Sequence, residues 1–190
     1  MVAAEQHRRQ GERHVCVPES RETRPRHAAK LQHREMKPTL VQYEAPGWGV
    51  GEVWLDDEGR VFHSELPRPK RTRPVSDTGD VLAGRLIAFF AGEPDDFADV
   101  VLRIDDAGFY ADCAKALRGV GRGEVVTYGE LAALAGYPGA ARAAGTFCAR
   151  CELAPFLPVH RVVAANGIGS WGSHGVEYKR RLLALEGVAL

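Results

Sequence analysis

The chain lacks several features that would assign it to a protein class at once. It has only four cysteines, too few for the disulfide framework of a small secreted protein. It has no apolar run of membrane-spanning length, and its charged N-terminus lacks the apolar segment of a signal peptide. These absences predict a reduced, cytoplasmic protein that does not interact with a membrane.

The formal net charge is zero as well, but the charges are unevenly spread along the 190 residues. Residues 1–37 hold nine Lys or Arg against five Asp or Glu, residues 38–137 hold ten against seventeen, and residues 138–190 hold six against three. The acidic middle block is a poor partner for a polyanion, whereas the basic last block can face one. The asymmetry alone identifies no partner.

Composition predicts a leader followed by two domains. Residues 1–37 hold few large apolar side chains, which predicts a disordered basic leader. Met36 lies just before the globular pattern and is an alternative start of the translated chain. Residues 38–103 alternate in the manner of strands around one helical stripe, which predicts a small α/β domain. Residues 104–190 have helical patterns and predict a second domain.

Two further elements are predicted near the ends of these domains. Residues 100–104 have the composition of a short strand. A last helix is predicted over residues 176–186, with its leucines facing the core and with Lys179, Arg180 and Arg181 facing outward.

Two short helices in the second domain have the proportions of a helix-turn-helix. Thr127 is predicted to cap the first helix, because Glu130 follows three residues later as in a capping box. This helix ends at Gly136, and the next begins near Pro138 and runs to about Cys148. The spacing predicts a DNA-binding motif.

The second of these helices carries a single charge, Arg142, among alanines and glycines. The major groove is usually read by several polar side chains, which this helix does not offer. Small residues permit close approach to the minor groove, where an arginine can replace a base that has been rotated out of the stack. The alternative interpretation is a tightly packed helix with one solvated arginine.

Four ordered segments resemble the O6-alkylguanine-DNA alkyltransferase family. They are the approach to the helix-turn-helix at 123–136, its second helix at 138–145, the run L-P-V-H-R-V-V at 157–163, and the last helix at 177–187. The resemblance implies a mixed α+β fold, with a small ribonuclease H-like α/β domain at 38–103 and a helical DNA-binding domain at 104–190. It implies neither a cofactor nor a metal ion.

The resemblance also implies roles for individual residues. Arg142 matches the arginine that replaces the flipped nucleotide, and Tyr128 matches the tyrosine that presses on the target phosphate. His160 matches the general base, and Glu186 matches the carboxylate that orients this histidine. The remaining implied residues are Ala141, Gly145 and Arg161 for DNA binding and Val159, Gly167 and Trp171 for the base pocket.

One departure from the family concerns the reacting atom. Val159 stands where the family has the cysteine that accepts the alkyl group, and a valine has no nucleophilic atom. This resembles the alkyltransferase-like branch, whose members usually carry tryptophan there. The resemblance implies a monomer that binds O6-alkylguanine in double-stranded DNA without repairing it and passes the lesion to nucleotide excision repair proteins. Because valine is small, we also expect room for larger O6 substituents.

A second departure leaves two other functions open. Cys151 stands where the family usually has a hinge asparagine, and Cys148 lies one helical turn before it. One alternative is an active methyltransferase that uses a relocated thiol, Cys151 or Cys148, although both cysteines can equally be buried packing residues. The other alternative is a helix-turn-helix protein that binds DNA without preference for a lesion.

Overall fold

The computed structural model describes residues 37–69 and 79–190, and these residues belong to one compact unit. The predictions for the leader and for Met36 therefore lie outside the described residues. Within the two described ranges, no helix has the length and apolar character needed to cross a membrane.

The N-terminal part is an antiparallel sheet that packs against one helix. Strands β1 (Thr39–Ala45), β2 (Gly49–Leu55) and β3 (Val61–Arg68) pair in the order β1-β2-β3. Helix α1 (Val81–Phe90) begins at Asp80, whose side chain accepts hydrogen bonds from two backbone N–H groups of the first turn. Alternation along the strands buries their apolar residues under α1, as the sequence predicts.

The strand predicted at 100–104 is wrong. Only Leu102 forms a bridge to β3, where the Val61 N–H donates to the Val101 carbonyl and the Val61 carbonyl accepts from the Arg103 N–H. The segment contacts the edge of the sheet at this one place before the chain continues to the next helix. It therefore does not form a strand, although its residues have a high β propensity.

The C-terminal part holds four helices: α2 (Phe109–Arg118), α3 (Tyr128–Leu134), α4 (Ala141–Arg150) and α5 (Gly175–Leu185). The predicted capping box is confirmed, because the Thr127 side chain accepts from the Glu130 N–H and the Glu130 carboxylate accepts from the Thr127 N–H. Helix α3 ends before Gly136, whose φ of 90° is available at little cost only to glycine. Helices α3 and α4 then pack against each other.

A pair of short parallel strands positions the segment that holds Val159 and His160. Strand β4 (Val126–Thr127) pairs in parallel with β5 (Val162–Val163), which places the start of α3 beside a short 3-10 turn at Val159–Arg161.

The core is continuous across the predicted boundary between residues 103 and 104. The rings of Phe97 and Phe156, for example, lie 5.1 Å apart.

Candidate functional site

The centre of the candidate site is a buried histidine paired with a buried carboxylate. His160 is fully buried, and its Nε2 lies 2.9 Å from Oε1 of Glu186. Burial lowers the pKa of His160 below its usual value, although Glu186 opposes this shift, so the ring is neutral near pH 7. Burial would raise the pKa of Glu186, but hydrogen bonds from His160 and Arg161 outweigh it and lower the pKa to about 2.

This pairing decides where the proton of the ring lies. An ionised carboxylate can only accept, so the proton of His160 is assigned to Nε2 and Nδ1 keeps a free lone pair. Nδ1 is buried and has no hydrogen-bond partner among the residues that the structure describes. The preceding residue is Val159, which is 1% exposed and has no proton to give. The arrangement can therefore orient a base at His160, while position 159 offers no nucleophile.

Arg161 is not available for DNA. It is buried, and its guanidinium donates to both carboxylate oxygens of Glu186, at 2.9 and 2.7 Å, and to the Val120 carbonyl at 2.6 Å. A bidentate pair of this kind orients the carboxylate as well as stabilising it. The expectation that Arg161 contacts DNA is thus corrected: this side chain holds Glu186, which in turn holds His160.

Lys179 is also buried, although we expected it to face outward. Its Nζ donates to the Val162 carbonyl at 2.5 Å, directly after the 3-10 turn. Burial lowers the pKa of Lys179 to about 8, with Cys148 opposing the shift. Helical spacing could have predicted that Lys179 is buried, because this residue shares one face of the helix with Leu182, Leu183 and Glu186.

The candidate DNA surface is the outward face of α4. Ala141, Arg142 and Gly145 are exposed or partly exposed, and the Arg142 side chain has no hydrogen bond or ion pair to any described residue. Tyr128 stands beside this face, because a Cβ at Gly145 would lie only 3.9 Å from its ring. The Tyr128 hydroxyl donates to the Ser170 carbonyl at 3.3 Å. This gives a helix surface of small residues that presents an arginine and lies next to a tyrosine.

A cavity of about 830 Å³ opens behind the end of α4. Its walls come from β3, from the end of α4 and from the loop before α5. Its polar, reactive and aromatic lining residues are His63, Ser64, Glu65 and Arg68 on β3, Cys148, Arg150, Cys151 and Glu152 at the end of α4, and Trp171, Ser173 and His174 in the loop. The volume is in the range of pockets that bind small organic molecules.

Only one of the three residues predicted for the base pocket lines this cavity. Trp171 does so, and its ring centroid lies 6.3 Å from that of His160. Val159 is buried and is not among the lining residues, whereas Gly167 lies exposed in a turn. The small size of Val159 therefore does not widen the cavity, which corrects our reason for expecting room for larger substituents.

Both cysteines of interest line the cavity. Cys148 is buried and Cys151 is partly buried at the end of α4. Burial raises the pKa of Cys148 to about 12 and that of Cys151 to about 11. Since the thiolate is the reactive form, the two thiols are well placed but protonated near pH 7.

Two histidines with lowered pKa values, the buried His160 and the partly buried His174, should make the stability of the protein sensitive to mild acid. Burial lowers the pKa of His174 to about 4, with the nearby charge of Arg68 contributing, and burial also lowers the pKa of His160. The unfolded chain binds these protons at about pH 6.5, so stability is complete above that pH and declines as the pH falls towards the folded pKa values.

We therefore expect the free energy of unfolding to fall between pH 7 and pH 5, by at most about 2 kcal/mol per histidine and by less for the partly exposed His174. Urea denaturation at pH 7, 6 and 5 measures this change. A His174→Gln variant should show a smaller decline, and an equal free energy at all three pH values would contradict the prediction.

The helices that carry this site match a known protein family. Residues 108–188 match the family model for "6-O-methylguanine DNA methyltransferase, DNA binding domain". The methylated-DNA–protein-cysteine methyltransferase of Mycobacterium tuberculosis (strain H37Rv) is 34% identical over 154 residues, which cover 77% of this chain and 93% of that protein. The chain belongs to the O6-methylguanine DNA methyltransferase family.

Solved structures of this family have the same fold. The crystal structure of the M. tuberculosis O6-methylguanine methyltransferase aligns with a TM-score of 0.65 and 31% identity, covering 79% of this chain and 93% of that one. A structure of the M. tuberculosis protein in complex with DNA aligns with a TM-score of 0.64 and 30% identity, over 78% and 92% of the two chains. The predicted mixed α+β fold is confirmed, and the chain is a DNA-binding protein of the DNA-repair alkyltransferase type. Because these relatives are named as methyltransferases, likeness to the alkyltransferase-like branch stays a prediction.

Proposed function

We propose that the protein binds O6-alkylguanine in double-stranded DNA, rotates the base out of the helix, and holds it without alkyl transfer to position 159. The observation that carries this proposal is Nδ1 of His160, which follows Val159 and has no hydrogen-bond partner among the described residues. The base, its carboxylate and the arginine behind them are in contact, but the atom that would attack the alkyl group is absent. Such a site can recognise a lesion and cannot consume it.

The proposed DNA contact is the outward face of α4, lying in the minor groove. Ala141 and Gly145 let the backbone approach, and the Arg142 side chain is free to enter the base stack. Tyr128 lies at the start of α3, where it can press on the phosphate of the displaced nucleotide. The extruded base would enter the cavity against Trp171, since the end of α4 forms its wall.

The resemblance also predicts the fate of the bound lesion. A lesion that is held but not repaired must be passed on, and nucleotide excision repair proteins are the predicted recipients. The protein is predicted to act as a monomer and to need no cofactor.

A second candidate function is methyl transfer to Cys148 or Cys151, and it is favoured by one observation: both thiols line the cavity. In that reaction a sulfur–carbon bond forms while the bond from the carbon to guanine O6 breaks. The thiol loses its proton, and guanine leaves with the electron pair and is protonated. The raised pKa values of both thiols oppose this step, and no described side chain is hydrogen-bonded to either sulfur.

Intact mass and binding measured on the same sample separate the candidates. We expect no mass gain after incubation of the protein with an O6-methylguanine duplex, together with tighter binding of this duplex than of the unmodified one. A gain of one methylene per chain would contradict the first proposal, and peptide mapping would then identify the cysteine. Equal affinity for the two duplexes would instead indicate a DNA-binding protein without lesion preference.

A further inference from the structure

The end of helix α4 carries two cysteines that are three residues apart. Cys148 lies in the last turn of the helix, and Cys151 is the residue at which the helix ends. In an α-helix the Cα atoms of residues with this spacing lie about 5 Å apart, and a disulfide bond joins Cα atoms that are about 4.4–6.8 Å apart. The backbone at the end of α4 therefore has the spacing that a bond between these two residues needs.

The two thiols also share one environment. Cys148 and Cys151 are free and line the same cavity. The charge that a Cys151 thiolate would carry contributes to the raised pKa of Cys148, as expected for two sulfur atoms that lie near each other. Cys113, the third cysteine that the structure describes, is fully buried in α2 and does not line the cavity. The cavity thus brings together one pair of thiols.

The last turn of α4 is able to tighten around this pair. In a regular α-helix the Cβ atoms of such residues lie about 5–6 Å apart, whereas a disulfide needs about 3.5–4.5 Å. A 3-10 turn removes much of this difference, because side chains three residues apart are then eclipsed. Cys151 permits the change, since its ψ of 117° already lies outside the helical range and its N–H donates to no carbonyl of the described residues.

We propose that Cys148 and Cys151 form a reversible disulfide bond that closes the cavity to an extruded base. The oxidant is a small hydroperoxide such as hydrogen peroxide. The sulfur of the partly exposed Cys151 attacks one peroxide oxygen, the O–O bond breaks, and water leaves with the thiol proton. The sulfur of Cys148 then displaces the hydroxyl of the resulting sulfenic acid, which leaves as a second water with the other thiol proton. The two sulfur atoms are oxidised and the peroxide is reduced.

The bond would act on lesion binding through the wall of the cavity. The Glu152 carbonyl, directly after Cys151, accepts from the Ser64 N–H at 2.7 Å and so ties this end of α4 to β3. Tightening of the last turn therefore changes the wall where the proposed function places the base. Arg142 lies about two helical turns earlier, so the contact of α4 with unmodified DNA should change little. This effect on the lesion rests on the proposed function, whereas formation of the bond does not.

Burial should make the oxidation slow at neutral pH. The thiolate is the form that attacks the peroxide, and burial raises the pKa of Cys151 to about 11. Since the thiolate fraction grows with pH below this pKa, the rate should rise about tenfold for each pH unit between pH 7 and pH 9. A rate that does not depend on pH would assign the oxidation to a different group.

Tryptic peptides of the full-length protein test the bond directly. After treatment with hydrogen peroxide at pH 8.5, the intact mass should fall by two hydrogen atoms per chain. Trypsin cuts after Arg142, Arg150 and Arg161, so Cys148 and Cys151 fall in the separate peptides 143–150 and 151–161. The disulfide should hold these two peptides together, and dithiothreitol should release them.

Three variants make the test specific. Cys148→Ala and Cys151→Ala should each prevent the loss of two hydrogen atoms within one chain. Cys113→Ala is the matched control, because it removes a buried thiol that does not line the cavity, and it should still form the bond. A bond to Cys113, or a gain of oxygen without the linked peptides, would overturn the proposal.

Duplex binding by the oxidised protein tests the effect on the cavity. We expect oxidation to lower the affinity for an O6-methylguanine duplex about tenfold and the affinity for the unmodified duplex by less than about twofold. Dithiothreitol should restore both values, and Cys113→Ala should behave as the wild type does. Unchanged lesion affinity in protein that contains the bond would overturn closure of the cavity. If the reduced wild type binds both duplexes alike, the proposed function fails, and the linked peptides still decide whether the bond forms.

Discussion

Replacing Val159 with cysteine is expected to turn this protein into a stoichiometric methyltransferase. The change supplies a thiol next to His160, whose unprotonated Nδ1 has no partner among the described residues and whose Nε2 is held by Glu186 at 2.9 Å. A base oriented in this way can take the thiol proton, directly or through a water molecule. Intact mass after incubation with an O6-methylguanine duplex should rise by one methylene per chain in Val159→Cys and remain constant in the wild type.

Two controls make this prediction specific. Val159→Ser places a hydroxyl at the same position and should give no mass gain, since a serine hydroxyl is a far weaker nucleophile than a thiolate. Val159→Cys combined with His160→Gln should react much more slowly, because the base is lost. Val159 is 1% exposed and does not line the cavity, so transfer also requires the extruded base to reach this position. If Val159→Cys binds the lesion but gains no mass, the base does not reach position 159, and a thiol there is not sufficient for transfer.

Replacing Arg142 with alanine is expected to abolish the preference for O6-methylguanine. Arg142 is exposed on α4 and makes no side-chain contact with a described polar group, so its removal should not disturb the fold. Extrusion of a base costs a few kcal/mol, and an inserted arginine offsets part of this cost. We expect the lesion duplex to lose about 2 kcal/mol of binding free energy, roughly 30-fold in Kd, and the unmodified duplex to lose much less.

The comparison needs a variant that removes the same charge elsewhere. Arg180→Ala lies on α5 and should lower the affinity for the two duplexes by a similar small factor, if it lowers them at all. Fluorescence anisotropy at several salt concentrations separates the two effects, because a phosphate contact changes the salt dependence for both duplexes. A lesion preference that is unchanged in Arg142→Ala would remove the base-flipping part of the proposal.

Local features of the fold were predictable because their causes lie within a few residues. The capping box of Thr127 and Glu130 and the stop at Gly136 depend on hydrogen bonds and backbone angles inside one helix. The failed strand at 100–104 shows the limit of this reasoning. Its residues favour an extended chain, but a strand also needs a partner along its length, and the edge of the sheet offers one only at Val61.

In the candidate site, too, one feature could be predicted from the sequence and another could not. Burial of Lys179 was readable from helical spacing, since this residue shares a face with Leu182 and Glu186, but its positive charge outweighed that signal in our prediction. Burial of Arg161 was not readable. Its carboxylate partner lies 25 residues further along the chain, and its carbonyl partner lies 41 residues before it.

Residue types alone establish what position 159 lacks and what the start of α4 presents. A valine at position 159 has no nucleophilic atom in any fold, and Arg142 lies among small residues in the first turns of α4 whatever lies around it. The packing of distant segments decides instead which groups line the cavity. These groups include the thiols at the end of α4, Arg68 and Ser64 from β3, and Trp171, but not Val159. These groups come from segments up to about a hundred residues apart. Their meeting depends on how the sheet packs against the end of α4, where the Ser64 N–H donates to the Glu152 carbonyl at 2.7 Å, and no local pattern encodes that contact.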